Sequence, residues 1–134
     1  MPRFYFEKLV RDKVLTRSLD DPKVLHVEYR LLGALDGKRE IIKKIIEETN
    51  EIPVLSELTD EVVGEIADVQ ATVDALCKAY GISRVKLAEA VEKKADKNGS
   101  FDKNAFIEYV DLADDSEWVD IFRAQPDKYR EDEL

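Results

Sequence analysis

Between Ile45 and Cys77 the chain carries nine acidic residues and no Lys, Arg or His. They are Glu47, Glu48, Glu51, Glu57, Asp60, Glu61, Glu65, Asp68 and Asp74. The whole chain of 134 residues has 30 acids and 21 Lys and Arg, so its formal charge of −9 is concentrated in this one stretch. Within it lie two tight groups, Glu47-Glu48-Thr49-Asn50-Glu51 and Glu65-Ile66-Ala67-Asp68. Glu48/Glu51 and Glu65/Asp68 are i, i+3 pairs. On a helix such residues are neighbours, and like charges there repel by roughly 0.2–0.5 kcal/mol. A bound divalent cation would remove that repulsion. Oxygen ligands without nitrogen or sulfur suit a hard ion, Mg²⁺ or Mn²⁺. Carboxylate-held Mg²⁺ commonly serves a polyphosphate substrate, by activating water and neutralising a phosphoryl oxygen. The same spacing also describes a solvated acidic face on an amphipathic hairpin. Spacing alone leaves both readings open.

The elements that must position these acids are two helices. Asp36-Gly37 is a turn and helix-start signal, and a first long helix is expected from about Lys38 to Ile52. Ile41, Ile42, Ile45, Ile46, Thr49 and Ile52 form one stripe at helical spacing, and Pro53 stops it. Glu48 falls at the edge of that stripe, with Glu51 and then Glu47 further round. After a short loop, Thr59 or Asp60 caps a second helix that runs to Tyr80, with Gly81 as its stop. Val62, Ile66, Val69, Val73, Leu76, Cys77 and Tyr80 make its apolar face. Glu65 borders that face and Asp68 sits further out. A short connection packs two helices antiparallel. Glu48, Glu51, Glu65 and Asp68 then converge on one point.

Elsewhere the signals are shorter. Residues 4–13 suggest an extended aromatic start and a helical turn with a basic cluster, Lys8, Arg11 and Lys13. In residues 23–32, Leu25, Val27, Tyr29 and Leu31 alternate with His26, Glu28 and Arg30, which predicts a strand. His26, the only histidine, falls on its polar face, so a His-based zinc site is not expected. Ser83 caps a third helix to about Lys97. Residues 101–111 read as a second strand able to pair with the first. Trp118, Ile121 and Phe122 mark a short helix. Asp96–Asp102 has the composition of a calcium loop, but its twelfth position would be Ile107 rather than the closing Glu, which excludes an EF-hand.

Bulk properties narrow the class. The chain is 44% hydrophobic and 38% charged with five Gly and four Pro, which suits a mainly α protein. A single domain over 1–125 is expected, with an acidic tail, 126–134, expected to be mobile. An isoelectric point near 4.7 argues against a general nucleic-acid binder. No apolar run approaches the ~18 residues of a membrane span. The N-terminus lacks the apolar core of a signal peptide. Cys77, the single cysteine, reads as a buried thiol, which suits a cytoplasmic protein.

Glu47-Glu48-x-x-Glu51, thirteen residues, then Glu65-x-x-Asp68 resembles the EExxE…ExxD signature of the MazG-like all-α nucleotide pyrophosphohydrolases. Lys8-Leu9-Val10-Arg11-Asp12-Lys13-Val14 resembles the KLVRDKI opening of the branch described as phosphoribosyl-ATP pyrophosphohydrolase-like. The segment from Lys94 to Gly99-Ser100-Phe101 resembles that branch's K-x₄-GGF element. Together the three cover roughly residues 7 to 110. Three departures stand out: Asn98 where Arg is frequent, Ser100 for the second Gly, and Leu15 where Pro commonly follows the opening motif.

The resemblance implies a mainly α fold built on an antiparallel helical hairpin with further helices. The residue pattern adds a small two-stranded β element. It further implies Mg²⁺-dependent hydrolysis of a nucleoside triphosphate or related nucleotide to the monophosphate and pyrophosphate. Such a reaction can remove non-standard or excess nucleotides. By position, Glu48, Glu51, Glu65 and Asp68 would hold the metal. Glu47 would orient or deprotonate the attacking water, or help hold a further ion. Lys94, with Lys8, Arg11 and Lys13, would meet the phosphates. A homo-oligomer, dimer or tetramer, is expected. Two other readings remain: phosphoribosyl-ATP as the substrate, and a catalytically silent helical interaction module.

Overall fold

A computed structural model describes residues 1–132 and is mainly helical. Five helices occur among the described residues: α1 (Asp12–Asp20), α2 (Ala34–Asn50), α3 (Asp60–Tyr80), α4 (Arg84–Asn98) and α5 (Trp118–Arg123). The chain divides into two compact units, Met1–Lys97 and Asn98–Leu134.

In the first unit, α2 and α3 pack on each other as the predicted hairpin. Their antiparallel sense is fixed at both ends. Lys38, near the start of α2, places Nζ 4.5 Å from the ring centroid of Tyr80, the last residue of α3. At the other end Glu48 meets Glu65 and Asp68. Local chemistry sets the helix limits. Thr59 Oγ1 accepts from the Val62 amide at 3.3 Å and caps α3. At its far end Gly81 adopts φ +75°. Its amide donates to the Lys78 carbonyl at 3.1 Å, and the Ile82 amide donates to the Cys77 carbonyl at 2.8 Å. This left-handed closure is one a side chain disfavours. Ser83 Oγ accepts from the Lys86 amide at 3.1 Å and caps α4.

Several expectations are corrected. The first long helix begins at Ala34, not Lys38. Asp36 lies within its first turn, where an acid meets the positive end of the helix dipole, and Gly37 N–H closes that turn on Gly33 at 2.8 Å. The basic N-terminal cluster leads into a nine-residue helix, α1, rather than a single turn. Cys77 is partly exposed instead of buried.

The two-stranded β element is not present among the described residues. Alternation marks a strand only if a neighbour supplies ladder hydrogen bonds and covers one face. In 23–32 the one non-helical backbone bond is the turn from Val24 N–H to Asp21, and Leu25 and Leu31 are 73% and 84% exposed. In 101–111 the one such bond is the turn from Asn104 N–H to Phe101. The residues suit strands, but no ladder forms. His26 stays on the surface, with Nε2 3.1 Å from Glu28 Oε2.

In the second unit α5 carries Trp118 and Phe122, whose ring centroids are 5.7 Å apart, and Tyr129 continues the cluster 4.5 Å from Phe122. Arg123 Nε donates to Glu131 at 2.6 Å. Of the expected mobile tail, Glu133 and Leu134 lie outside the described residues. No helix among the described residues is long and apolar enough to cross a membrane.

Candidate functional site

The acidic site forms where the C-terminal half of α2 faces the N-terminal half of α3. One carboxylate oxygen from each of Glu48, Glu65 and Asp68 lies within 4.8 Å of the others, and all three residues are half-buried. Glu48 comes from the edge of the Ile stripe. Glu65 and Asp68, three positions apart, lie on neighbouring lines of α3 and so reach the same point.

Glu65 differs from the other two, which pair with Lys44 and Arg11. Its Oε2 is shut off from solvent and has no hydrogen-bond partner. Loss of hydration pushes its carboxyl above the ordinary value, and the negative charges of Glu51, Asp68 and Glu48 push it further. Glu51 is therefore felt electrically although it stands outside the trio. It is exposed, as the residue that ends α2.

Basic side chains edge the cluster. Lys8 Nζ lies 2.8 Å from Glu47 Oε1, and Arg11 Nη2 lies 2.8 Å from Asp68 Oδ1. The hydrogen bond from Lys8, strengthened by Lys44, holds the Glu47 carboxyl below its usual range. The same bond to Glu47 raises the Lys8 ammonium. Glu47 therefore faces cations rather than joining the trio. Lys13, on α1, and Lys94, on α4, are both exposed and make no ion pair among the described residues.

Lys44 was not apparent from the acidic pattern. Its Nζ lies 3.3 Å from Glu47 Oε2 and 3.2 Å from Glu48 Oε1. A window that opens at Ile45 leaves Lys44 out by one residue. The available signal is helical spacing, because Glu47 and Glu48 are its i+3 and i+4 positions.

The donor set is chemically uniform. Glu47, Glu48, Glu51, Glu65 and Asp68 face Lys8, Arg11 and Lys44, so full ionisation leaves two negative charges without a partner. Three carboxylates from two helices, one of them with an oxygen buried without a hydrogen bond, fit a hard divalent ion completed by water. No protein-family model matches this chain, and no curated protein or solved structure matches it.

Proposed function

We propose that this chain is a Mg²⁺-dependent nucleotide pyrophosphohydrolase of MazG-like type, cleaving a nucleoside triphosphate or related nucleotide to the monophosphate and pyrophosphate. The observation that carries the reading is the convergence of Glu48, Glu65 and Asp68 with Glu65 Oε2 unpartnered. Glu48, Glu65 and Asp68 would hold the ion, with Glu51 beside them. When bound, the ion supplies Lewis acidity to a phosphoryl oxygen and to water.

The chain's own groups divide the remaining work. Glu47 is held ionised by the hydrogen bond from Lys8 and by Lys44. A carboxylate with a depressed pKa is a weak base, so Glu47 orients the attacking water better than it deprotonates it. Lys8 and Arg11 place positive charge beside the acids, where it would meet the phosphates and stabilise negative charge developing in the transition state. Lys13 and Lys94 enter through the motif resemblance. Their charge is not compensated by an acid among the described residues.

A homo-oligomer is part of the same proposal. No side chain among the described residues is fully buried in the single chain. Ile46 of α2 is 58% exposed, and Val63 and Ile66 of α3 are also exposed. An apolar surface of this kind suits a symmetric interface.

The test is pyrophosphate release across a panel of nucleoside triphosphates with Mg²⁺, Mn²⁺ or EDTA. Metal-dependent release from one or a few members is expected. Release from phosphoribosyl-ATP alone would move the substrate to that compound. No release from either would leave the helical interaction module as the better reading.

A further inference from the structure

Lys44 sits one turn ahead of the acidic pair. Adjacent positions on a helix diverge by about 100°, so the backbone alone does not aim Glu47 and Glu48 together. Lys44 links them, with Nζ 3.3 Å from Glu47 Oε2 and 3.2 Å from Glu48 Oε1. The Lys44 side chain is 16% exposed and that of Glu48 is 13% exposed. Among the described ion pairs this bridge is the most sheltered. Lys8 holds the other oxygen of Glu47 from a distant part of the chain. Lys44 engages one oxygen of each carboxylate and leaves each acid with one that it does not engage.

We infer that Lys44 is a positioning residue for the acidic centre, fixing the rotamers of Glu47 and Glu48 together so that Glu48 meets Glu65 and Asp68. The inference rests on the metal-site reading above and deepens it. Groups that orient metal ligands commonly change affinity by about 10–100-fold when removed. A simple counter-charge behaves oppositely. If Lys44 only neutralised the cluster, its removal would leave the site more negative and tighten cation binding. The sign of the effect therefore separates orientation from neutralisation.

The experiment is titration of the full chain with Mn²⁺ alone, with free Mn²⁺ read by electron paramagnetic resonance. Wild type is compared with Lys44→Met, Lys44→Gln and Lys44→Arg, with helix content checked by circular dichroism. Positioning predicts affinity about tenfold weaker in both neutral variants and recovered in Lys44→Arg. Two neutral replacements, one apolar and one polar, keep the reading from depending on how either packs. Equal or tighter binding in the neutral variants overturns the role of Lys44 and leaves the metal site standing. A loss that Lys44→Arg does not recover also overturns it, because the bridging charge is then not the cause. No Mn²⁺ binding by the wild type overturns the metal site, and this inference with it.

Discussion

Arg11 and Asp68, 57 positions apart, meet with Nη2 2.8 Å from Oδ1. The contact brings the residue that precedes α1 onto the acidic face of α3. It gives Asp68 two candidate partners, the guanidinium and a cation. The guanidinium is largely exposed and Asp68 is half-buried, so the pair is worth about 0.2–1 kcal/mol. Arg11→Met frees the carboxylate oxygen and is expected to tighten Mn²⁺ binding by roughly two- to fivefold. It should also weaken use of a phosphate-bearing substrate. The direction is opposite to that for Lys44, because Arg11 competes with the ion for Asp68 whereas Lys44 ties Glu48 to its helical neighbour Glu47 and so aims it at the trio. Mn²⁺ titration checks the first part and the KM for the active nucleotide checks the second. Looser ion binding in Arg11→Met would contradict it.

Glu48→Gln and Asp68→Asn keep volume and remove charge. Each is expected to lower metal-dependent pyrophosphate release by about 10²-fold or more while the far-ultraviolet dichroism stays that of the wild type. Wild-type turnover in both variants would show that these acids do not hold the ion.

Glu65 carries a pH signature. Its folded-state pKa is raised by burial and by Glu51, Asp68 and Glu48. The folded protein therefore binds this proton more tightly than the unfolded chain. The stability from that proton is fully present below the ordinary value of 4.5 and is lost as pH rises through the folded value. Without metal, Glu65→Gln removes the ionised form and is expected to melt above wild type at pH 7. The gap should close as pH falls below 4.5. Saturating Mg²⁺ should stabilise wild type more than the variant. Melting curves across pH with EDTA or Mg²⁺ check the sign, and a lower Tm for the variant at pH 7 with EDTA would reverse it.

Gly81 closes α3 at φ +75°, and a Cβ there would meet nothing within 4 Å. Substitution is therefore opposed by backbone conformation and not by a clash. Gly81→Ala is expected to lower stability by about 1–2 kcal/mol, measured by urea unfolding. Gly64, inside α3 and also open to a Cβ, is the control, and Gly64→Ala should raise stability by roughly 0.5–1 kcal/mol.

Much of the hairpin was legible in the residues. Thr59, Gly81 and Ser83 act within a few positions of themselves, so both limits of α3 and the start of α4 follow from local hydrogen bonding. The expected convergence of Glu48, Glu65 and Asp68 is also present, because helical spacing and a short loop constrain it. Glu51 shows the limit of that argument. At the end of α2 it stands outside the trio, although spacing groups it with Glu48.

The sequence by itself determined the two helices of the hairpin, their stops and the segregation of negative charge, because helical spacing, capping and composition act within a few residues. Tertiary structure decided whether the residues of 23–32 and 101–111 would form strands, since a ladder needs a second backbone at the right distance. It also decided that Lys8 would take Glu47 and Arg11 would take Asp68 across 39 and 57 positions. Several cations and many carboxylates are chemically interchangeable in such pairings. Only the path of the backbone selects which charges meet, and local pattern carries no record of that path.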